Sequence, residues 1–218
     1  MCHLDEAGFS MTLPTTCSWF LRGARLRVPY EASQGRRVNA LGALFTHGPL
    51  AGHLAYQTWA GLPKSRAKKQ RKSAAEVAAA HGLGAEEVGA IDAGRLVRFI
   101  WRLGGRAAGE GAGEGGWQRE RPLWIVLDNY SVHKSQAVVE AAPEWAAAGI
   151  HLVYLPSYCP EMSGIEPIWN DVKAHQLPIR SFAQVADLKQ AVEAGLARKA
   201  DQLYRAHAIT TNTDRAAT

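Results

Sequence analysis

Three carboxylate residues occupy positions from which they could share one site. Asp128 directly follows the apolar run LWIVL, Asp5 follows the short run CHL, and Glu166 lies early in a helical pattern. Ligands of open α/β sheets bind beyond the carboxyl ends of the strands, so acids at such positions can converge. Three converging carboxylates repel one another, and bound divalent cations usually neutralise such a cluster. Mg²⁺ and Mn²⁺ are the natural choices, because both prefer oxygen ligands.

Each acid also has an ordinary structural interpretation. Asp5 fits a turn, Asp128 fits a helix cap near Ser131, and Glu166 fits the first turn of a helix, where it complements the helix dipole. Position alone favours these structural roles for each residue taken singly. Only the combination of the three acids points to a metal site.

Positive charge is concentrated in one short segment. The chain has 25 Lys and Arg against 20 Asp and Glu, a net charge of +5. Six of the basic residues lie close together: Lys64, Arg66, Lys68, Lys69, Arg71 and Lys72. Without them the balance is 19 basic minus 20 acidic residues, or −1, so the excess is local. Such a run is most often a solvated loop, and it becomes a phosphate-binding candidate only if other residues point to nucleic acid.

The second half of the chain predicts the elements that position two of the acids. LWIVL and IHLVYL are apolar runs typical of strands buried in a parallel sheet, and a helix over about residues 134–148, interrupted at Pro143, connects them. Strands joined in this way are parallel. A short helix over residues 165–175 then carries Glu166, Trp169 and Lys173 on one side.

The rest of the chain predicts a small meander and two further helices. CSWFLRG, ARLRVPY and RRVNALGALFT are expected to form antiparallel strands between residues 17 and 46. A helical pattern covers residues 91–103 and ends at Gly104-Gly105, and a last helix has the apolar stripe Val185, Leu188, Val192 and Leu196.

Composition is that of a globular protein. The chain is 47% hydrophobic and 21% charged, and no stretch has the ~18 consecutive apolar residues that span a bilayer. Its three cysteines are scattered, which indicates neither a disulfide framework nor a cysteine zinc site. The amino terminus does not have the pattern of a signal peptide, so we expect a cytoplasmic location.

Two segments of the second half form a specific pattern. LDNYSVHKS at 127–135 and LVYLPSYCPEMSGIEPIWNDVK at 152–173 combine a strand ending in DN, a nearby His, a proline-bounded turn, and a Glu with Trp three and Lys seven residues later. They resemble the catalytic core of bacterial insertion-sequence transposases related to the mariner elements. LDEAGF, SWFLRGARLRV and RVNALGAL are similar to the start of the same domain, so the likeness covers residues 1 to about 60 and 91 to about 200.

The resemblance implies a ribonuclease-H-like α/β fold, a mixed five-stranded sheet flanked by helices. The catalytic domain would span residues 1–207, with a basic insertion at about 62–90 and a Gly-rich loop at 104–116, followed by a polar, frayed tail at 208–218. The DDE acids would be Asp5, Asp128 and Glu166, which would hold two Mg²⁺ or Mn²⁺ ions. Two metal ions in such a site activate water or a 3′-hydroxyl on one side of the scissile phosphate and stabilise the leaving oxygen on the other.

The resemblance also suggests roles for neighbouring residues. Asn129 and His133 match the turn after the second acid, where they orient Asp128, approach DNA or simply hydrogen-bond within the loop. Trp169 is better interpreted as a core residue that pins its helix to the sheet. Lys173 is either a phosphate contact or a solvated surface lysine, and the Lys64–Lys72 run is a candidate basic arm that clamps duplex DNA.

The sequence departs from the family pattern at three points, which concern the loop before Glu166 and the amino terminus. Ser163-Gly164 stands where the family commonly has Asn-Pro, and the 37 residues between Asp128 and Glu166 are a few more than usual. The first acid is already residue 5, so we expect no amino-terminal helix-turn-helix region before it. We therefore expect the C-terminal part of a split or truncated transposase that acts on double-stranded DNA (transposon ends and target). A homodimer and a separate helix-turn-helix polypeptide are compatible partners, and a membrane is not.

Two other functions remain open on the sequence. A catalytically inactive remnant or accessory protein would keep the fold and bind DNA without sequence preference. A structure-specific nuclease is a third possibility, because ribonuclease-H-like sheets host several nucleases. The three intact acids favour the enzyme, and the missing DNA-reading region favours the remnant.

Overall fold

The computed structural model describes residues 1–12, 22–23, 37–62, 73–106, 117–156, 159–178 and 180–216. The basic run Lys64–Lys72, nearly all of the two strands predicted between residues 17 and 30, and most of the Gly-rich loop lie outside the described residues. These ranges contain six strands and five α-helices.

One mixed sheet organises the fold. Its strands are β1 (Cys2–Ser10), β2 (Arg37–Phe45), β3 (Leu54–Gly61), β4 (Val88–Gly89), β5 (Leu123–Leu127) and β6 (Ile150–Tyr154). Their order is β4-β3-β2-β1-β5-β6. The pairs β1–β2 and β2–β3 are antiparallel, whereas β3–β4, β1–β5 and β5–β6 are parallel. The mixed sheet flanked by helices is as predicted, and the two-residue strand β4 extends it from five strands to six.

Five α-helices cover the two faces of the sheet. They are α1 (Ala74–His81), α2 (Ala93–Gly104), α3 (Gln136–Ala147), α4 (Glu166–Asp171) and α5 (Val185–Ala216). The core between the sheet and α2 and α3 contains Leu4, Ile100 and Trp145. The core on the other face contains Phe9 and Trp169, together with the predicted stripe of α5. Within the described ranges no helix combines the length and the apolar character that crossing a bilayer requires.

The predicted βαβ unit is present, but two of its details differ. Strands β5 and β6 are parallel and in register from Leu123–Ile150 to Leu127–Tyr154. Helix α3 runs through Pro143 without a break. Proline has no N–H, so the main-chain oxygen of Val139, four residues earlier, lacks its usual helical donor. Val139 is 57% exposed, so this face of the helix is open to solvent, where the missing hydrogen bond costs least. Strand β6 is half exposed rather than buried, because it is the edge strand.

The meander and the last helix also differ from the prediction. Strand β1 begins at Cys2 and continues to Ser10, so Asp5 lies within the strand rather than at its end. The extension is stabilised by β2, with which all nine residues of β1 pair. The last strand of the predicted meander is present as β2, and the strand that pairs with it antiparallel on its other side is β3, which the sequence did not predict. Helix α5 continues to Ala216 through most of the stretch expected to be a frayed tail.

Candidate active site

A cavity of about 450 Å³ opens beside β1 at the carboxyl ends of β5 and β6. All three predicted acids lie in its walls. The complete lining comes from β1, from the loops after β5 and β6 and from the start of α4: Leu4, Asp5, Asp128, Asn129, Tyr130, Leu155, Pro156, Cys159, Ser163 and Glu166. Strands β1 and β5 pair over only two residues of each, Cys2–His3 with Ile125–Val126. Because the two strands no longer pair beyond that point, the cavity can form between Asp5 and Asp128.

Asp5 is held by an indole from the facing helix. Its Oδ2 accepts a hydrogen bond from Trp169 Nε1 at 3.1 Å. The ring can lie so close to the sheet because the residue opposite Asp5 on β2 is Gly42. A Cβ atom at Gly42 would lie only 2.5 Å from Cη2 of Trp169. Trp169 is 3% exposed, so it is the core residue that the sequence predicted, and it also orients Asp5.

The environment of Asp5 disfavours its charge. Burial is the largest cause and raises the pKa of Asp5 to about 7, against an opposing main-chain hydrogen bond from Glu6. The negative charges of Glu6, Asp128 and Glu166 raise this pKa further. A cation among these acids would offset both the free-energy cost of burying the charge of Asp5 and the repulsion between the acids.

Asp128 lies in the turn that directly follows β5. Its Oδ1 accepts a hydrogen bond from the main-chain N–H of Tyr130 at 2.9 Å, and its side chain is 56% exposed. Asn129 does not point to solvent: its Nδ2 donates to the main-chain oxygen of Leu155, just after β6. The structure therefore gives Asn129 a role in joining the two loops that form one wall of the cavity.

His133 is completely buried behind Asp128. Its Nδ1 is 3.1 Å from the main-chain oxygen and 2.9 Å from Oδ1 of Asp128, and its Nε2 is 2.9 Å from Oε1 of Glu6. Burial by itself lowers the pKa of His133, but the hydrogen bond and charge of Glu6, with those of Asp128, outweigh it, so the pKa is raised. His133 thus contacts the acid that the sequence placed beside it.

Glu166 is the first residue of α4, and the loop before it is fastened to β1. The main-chain N–H of Glu166 donates to the oxygen of Ser163 at 3.2 Å. The N–H of Gly164 donates to Nδ1 of His3 at 3.1 Å, and a Cβ at Gly164 would lie 3.3 Å from that ring. The Ser-Gly pair that departs from the family pattern is therefore held in place by a histidine on the first strand.

Among the predicted DNA-binding residues, Lys173 is the one that the structure describes. Lys173 is exposed in the π-helical turn Val172–Gln176 after α4, with its Nζ 5.8 Å from the ring centre of Phe9. It does not line the cavity. The run Lys64–Lys72 is not among the described residues.

The donor set suits a hard divalent cation. All three acids offer carboxylate oxygens, which are the ligands that Mg²⁺ and Mn²⁺ prefer. In the described part of the chain, however, no three His, Cys, Asp or Glu side chains cluster as the ligands of a single ion. The fit therefore rests on the shared cavity and on the mutual charge effects of the acids.

Sequence reasoning did not identify three residues that shape this site: Glu6, His3 and Gly42. Glu6 follows Asp5 directly, and a strand directs neighbouring side chains to opposite faces, so a second buried acid on the far face was foreseeable in principle. His3 and Gly42 act through partners far away in the chain, Gly164 and Trp169. No local pattern indicates such partners.

Comparison with solved structures shows a likeness to the Mos1 transposase. A Mos1 mariner paired-end complex with Mg has a TM-score of 0.55 at 15% identity, and one with Mn has 0.53 at 12%. A Mos1 paired-end complex with the left transposon end has 0.51 at 12% identity. In each case the match covers 93% of this chain and 49%, 52% and 51% of the Mos1 chain, respectively. The chain thus spans about half the length of these proteins and shares the fold of the part that it matches.

The family comparison concerns the region that carries two of the acids. Curated proteins gave no match. The model for the DDE superfamily endonucleases matches residues 69–189, which is more than half of the chain and includes Asp128 and Glu166. The chain therefore belongs to the DDE superfamily endonuclease family.

Proposed function

We propose that this chain is the catalytic domain of a transposase that cleaves DNA phosphodiester bonds at transposon ends and transfers the 3′ ends to target DNA. The observation that carries the proposal is that Asp5, Asp128 and Glu166 come from a strand, a turn and a helix far apart in the chain and line one cavity. The similar Mos1 structures are complexes of a transposase, one with a transposon end, which supports DNA as the substrate.

Two Mg²⁺ or Mn²⁺ ions are the cofactors that we propose, with Asp5, Asp128 and Glu166 as the residues that would hold them. Such ions activate a water or a 3′-hydroxyl and stabilise the leaving oxygen of the phosphodiester. Asp5 is the central ligand in this proposal, because the charges of both Asp128 and Glu166 act on it. Similar Mos1 complexes contain Mg and Mn, which supports this choice of metals.

The chain's own residues prepare the acids for this task. Trp169 directs one oxygen of Asp5 by its N–H, and the N–H of Tyr130 does the same for Asp128. Residues fixed before the substrate binds need little reorganisation during the reaction. The exposed Lys173 and the Lys64–Lys72 run are the side chains that we propose to contact phosphates. Double-stranded DNA is thus the partner that we propose, and a second copy of the chain and a separate helix-turn-helix polypeptide are further proposed partners.

Substitution of the acids tests the function. Asp128→Asn and Glu166→Gln preserve shape and remove the charge, so each should abolish nicking of a plasmid in Mg²⁺ or Mn²⁺ and leave the fold and non-specific DNA binding intact. Glu161→Gln is the matched control, because Glu161 is an exposed acid in the same loop that does not line the cavity. EDTA should stop nicking by the wild-type chain. Wild-type nicking by either cavity variant would contradict the proposal.

A further inference from the structure

The buried contact between Glu6 and His133 lies outside the proposed reaction but ends on one of its acids. Glu6 is on β1 beside Asp5, and its side chain is 7% exposed. Its Oε1 is 2.9 Å from Nε2 of His133, whose other ring nitrogen contacts Asp128. The groups that face the two ring nitrogens are the carboxylate of Glu6 on one side and the carboxylate and main-chain oxygen of Asp128 on the other, so each nitrogen that carries a proton has an acceptor.

The imidazole is fixed from several directions. Tyr154 at the end of β6 donates its hydroxyl to the main-chain oxygen of His133 at 2.8 Å. The ring of Tyr130 packs edge to face against the imidazole, with 5.9 Å between ring centres. Tyr130 also donates its main-chain N–H to Asp128. The groups around His133 are thus Glu6, Asp128 and two tyrosines, which makes a continuous chain of contacts from β1 to the carboxylate at the cavity.

We propose that Glu6 is a positioning residue that acts through His133 to hold the Asp128 carboxylate in the orientation needed for cation binding. The inference rests on the proposed function, since it assumes that Asp128 is a ligand. Oδ1 of Asp128 is engaged by Tyr130 and His133, which leaves Oδ2 without a protein donor among the described residues. Partners that orient metal ligands in this way typically affect metal affinity by about 10–100-fold.

A merely stabilising role for the pair makes a different prediction. Replacing a buried ion pair by apolar side chains of similar volume is often neutral or stabilising, because neither charge then has to be desolvated. The double variant E6L/H133L therefore separates the two roles. If the pair only stabilises the fold, the two leucines should replace that stabilisation, and the variant should match the wild type in stability, in the turn at Asp128 and in cation affinity. If the pair positions Asp128, the fold should survive and the orientation of Asp128 should be lost.

The experiment measures three quantities on the whole chain. Urea unfolding reports stability, amide hydrogen exchange at Tyr130 in EDTA reports the turn that Asp128 closes, and titration with Mn²⁺ alone reports cation affinity. E6Q retains an acceptor for His133 without the charge. T58V is the control, since it removes a 2.6 Å hydrogen bond from Thr58 to Glu193 at another part of the sheet.

For E6L/H133L we expect an unchanged unfolding midpoint, at least tenfold faster exchange at Tyr130, and Mn²⁺ affinity weakened about 10–100-fold. E6Q and T58V should stay within about threefold of the wild type in both exchange and affinity. Wild-type exchange and affinity in E6L/H133L would overturn the inference. Should that variant not fold, E6M is compared with the wild type instead. Because E6M leaves His133 without its acceptor and lowers overall stability, exchange at Tyr130 is expressed relative to Ile125 in β5, and an unchanged ratio would overturn the inference.

The two proposals fail in distinguishable ways. Exchange at Tyr130 requires neither metal nor DNA, so it tests the link from Glu6 to Asp128 even if the wild-type chain does not nick DNA. Failure of D128N to weaken Mn²⁺ binding would contradict Asp128 as a ligand, and with it both the proposed function and this inference.

Discussion

Substitution of Gly42 by alanine should disturb the site from behind the cavity. The added Cβ would lie 2.5 Å and 2.6 Å from Cη2 and Cζ2 of Trp169 and 3.1 Å from Cδ1 of Ile165. These separations are too short for carbon atoms, so the indole or the strand must shift. Trp169 is 3% exposed and belongs to α4, so its displacement would move the helix that carries Glu166 and weaken the hydrogen bond to Asp5.

The expected magnitude follows from two opposing effects. Overpacking of a well-packed core costs about 1–3 kcal/mol. Replacing glycine by alanine also restricts the unfolded chain, which stabilises the protein by about 0.4–1 kcal/mol. The midpoints of these ranges, about 2 and about 0.7 kcal/mol, differ by roughly 1.3 kcal/mol, so the net loss in the free energy of unfolding should be about 1–2 kcal/mol. For a chain of this length that loss lowers Tm by about 2–8 °C.

Urea unfolding of G42A, W169F and G42A/W169F measures this directly. Phenylalanine lacks the two ring carbons that the new Cβ would meet, so the double variant should be more stable than the sum of the single effects by about 1 kcal/mol or more. Plasmid nicking should stay low in both variants with W169F, because Asp5 has lost its indole donor. Stability of G42A within about 0.5 kcal/mol of the wild type, or simple additivity in the double variant, would refute the reasoning.

Two further predictions concern pH and salt. Because the pKa of Asp5 is raised to about 7, the folded chain keeps a proton that the unfolded chain releases, so in EDTA the free energy of unfolding should fall as pH rises from about 4 to about 7. Asp5→Asn should flatten this decline in urea unfolding at several pH values, and an unchanged slope would show that another group causes it. The chain should bind duplex DNA weakly and without sequence preference, with a log-log salt slope of roughly −4 to −5 from four to six phosphate contacts of the Lys64–Lys72 run. Replacing its six basic residues by glutamine should flatten that slope in titrations of a labelled duplex, whereas a loop that does not touch DNA predicts no change.

The sequence determined the elements whose stabilisation is local or whose pattern is periodic. Helix α2 was predicted from its spacing of apolar residues and from the glycines that end it, and Gly105 has the positive φ of 96° that such an end requires. The α5 stripe was predicted on the same basis, and all four of its residues are buried. The apolar runs of β5 and β6 and the helix between them sufficed to predict a parallel βαβ unit, because a helical crossover returns the chain to the end of the sheet where the first strand began.

Only the tertiary structure decided how the acids are surrounded. Asp5 lies within a nine-residue strand because β2 pairs along the whole length of β1, a contact between segments that are distant in the chain. Its pKa depends on burial and on Asp128 and Glu166, which no local pattern around residue 5 can indicate. Glu6 meets His133 for the same reason, since the turn after β5 folds back against β1. Residue types and spacing thus named the acids, whereas their charges and orientations depend on contacts that exist only once the strands and helices have packed together.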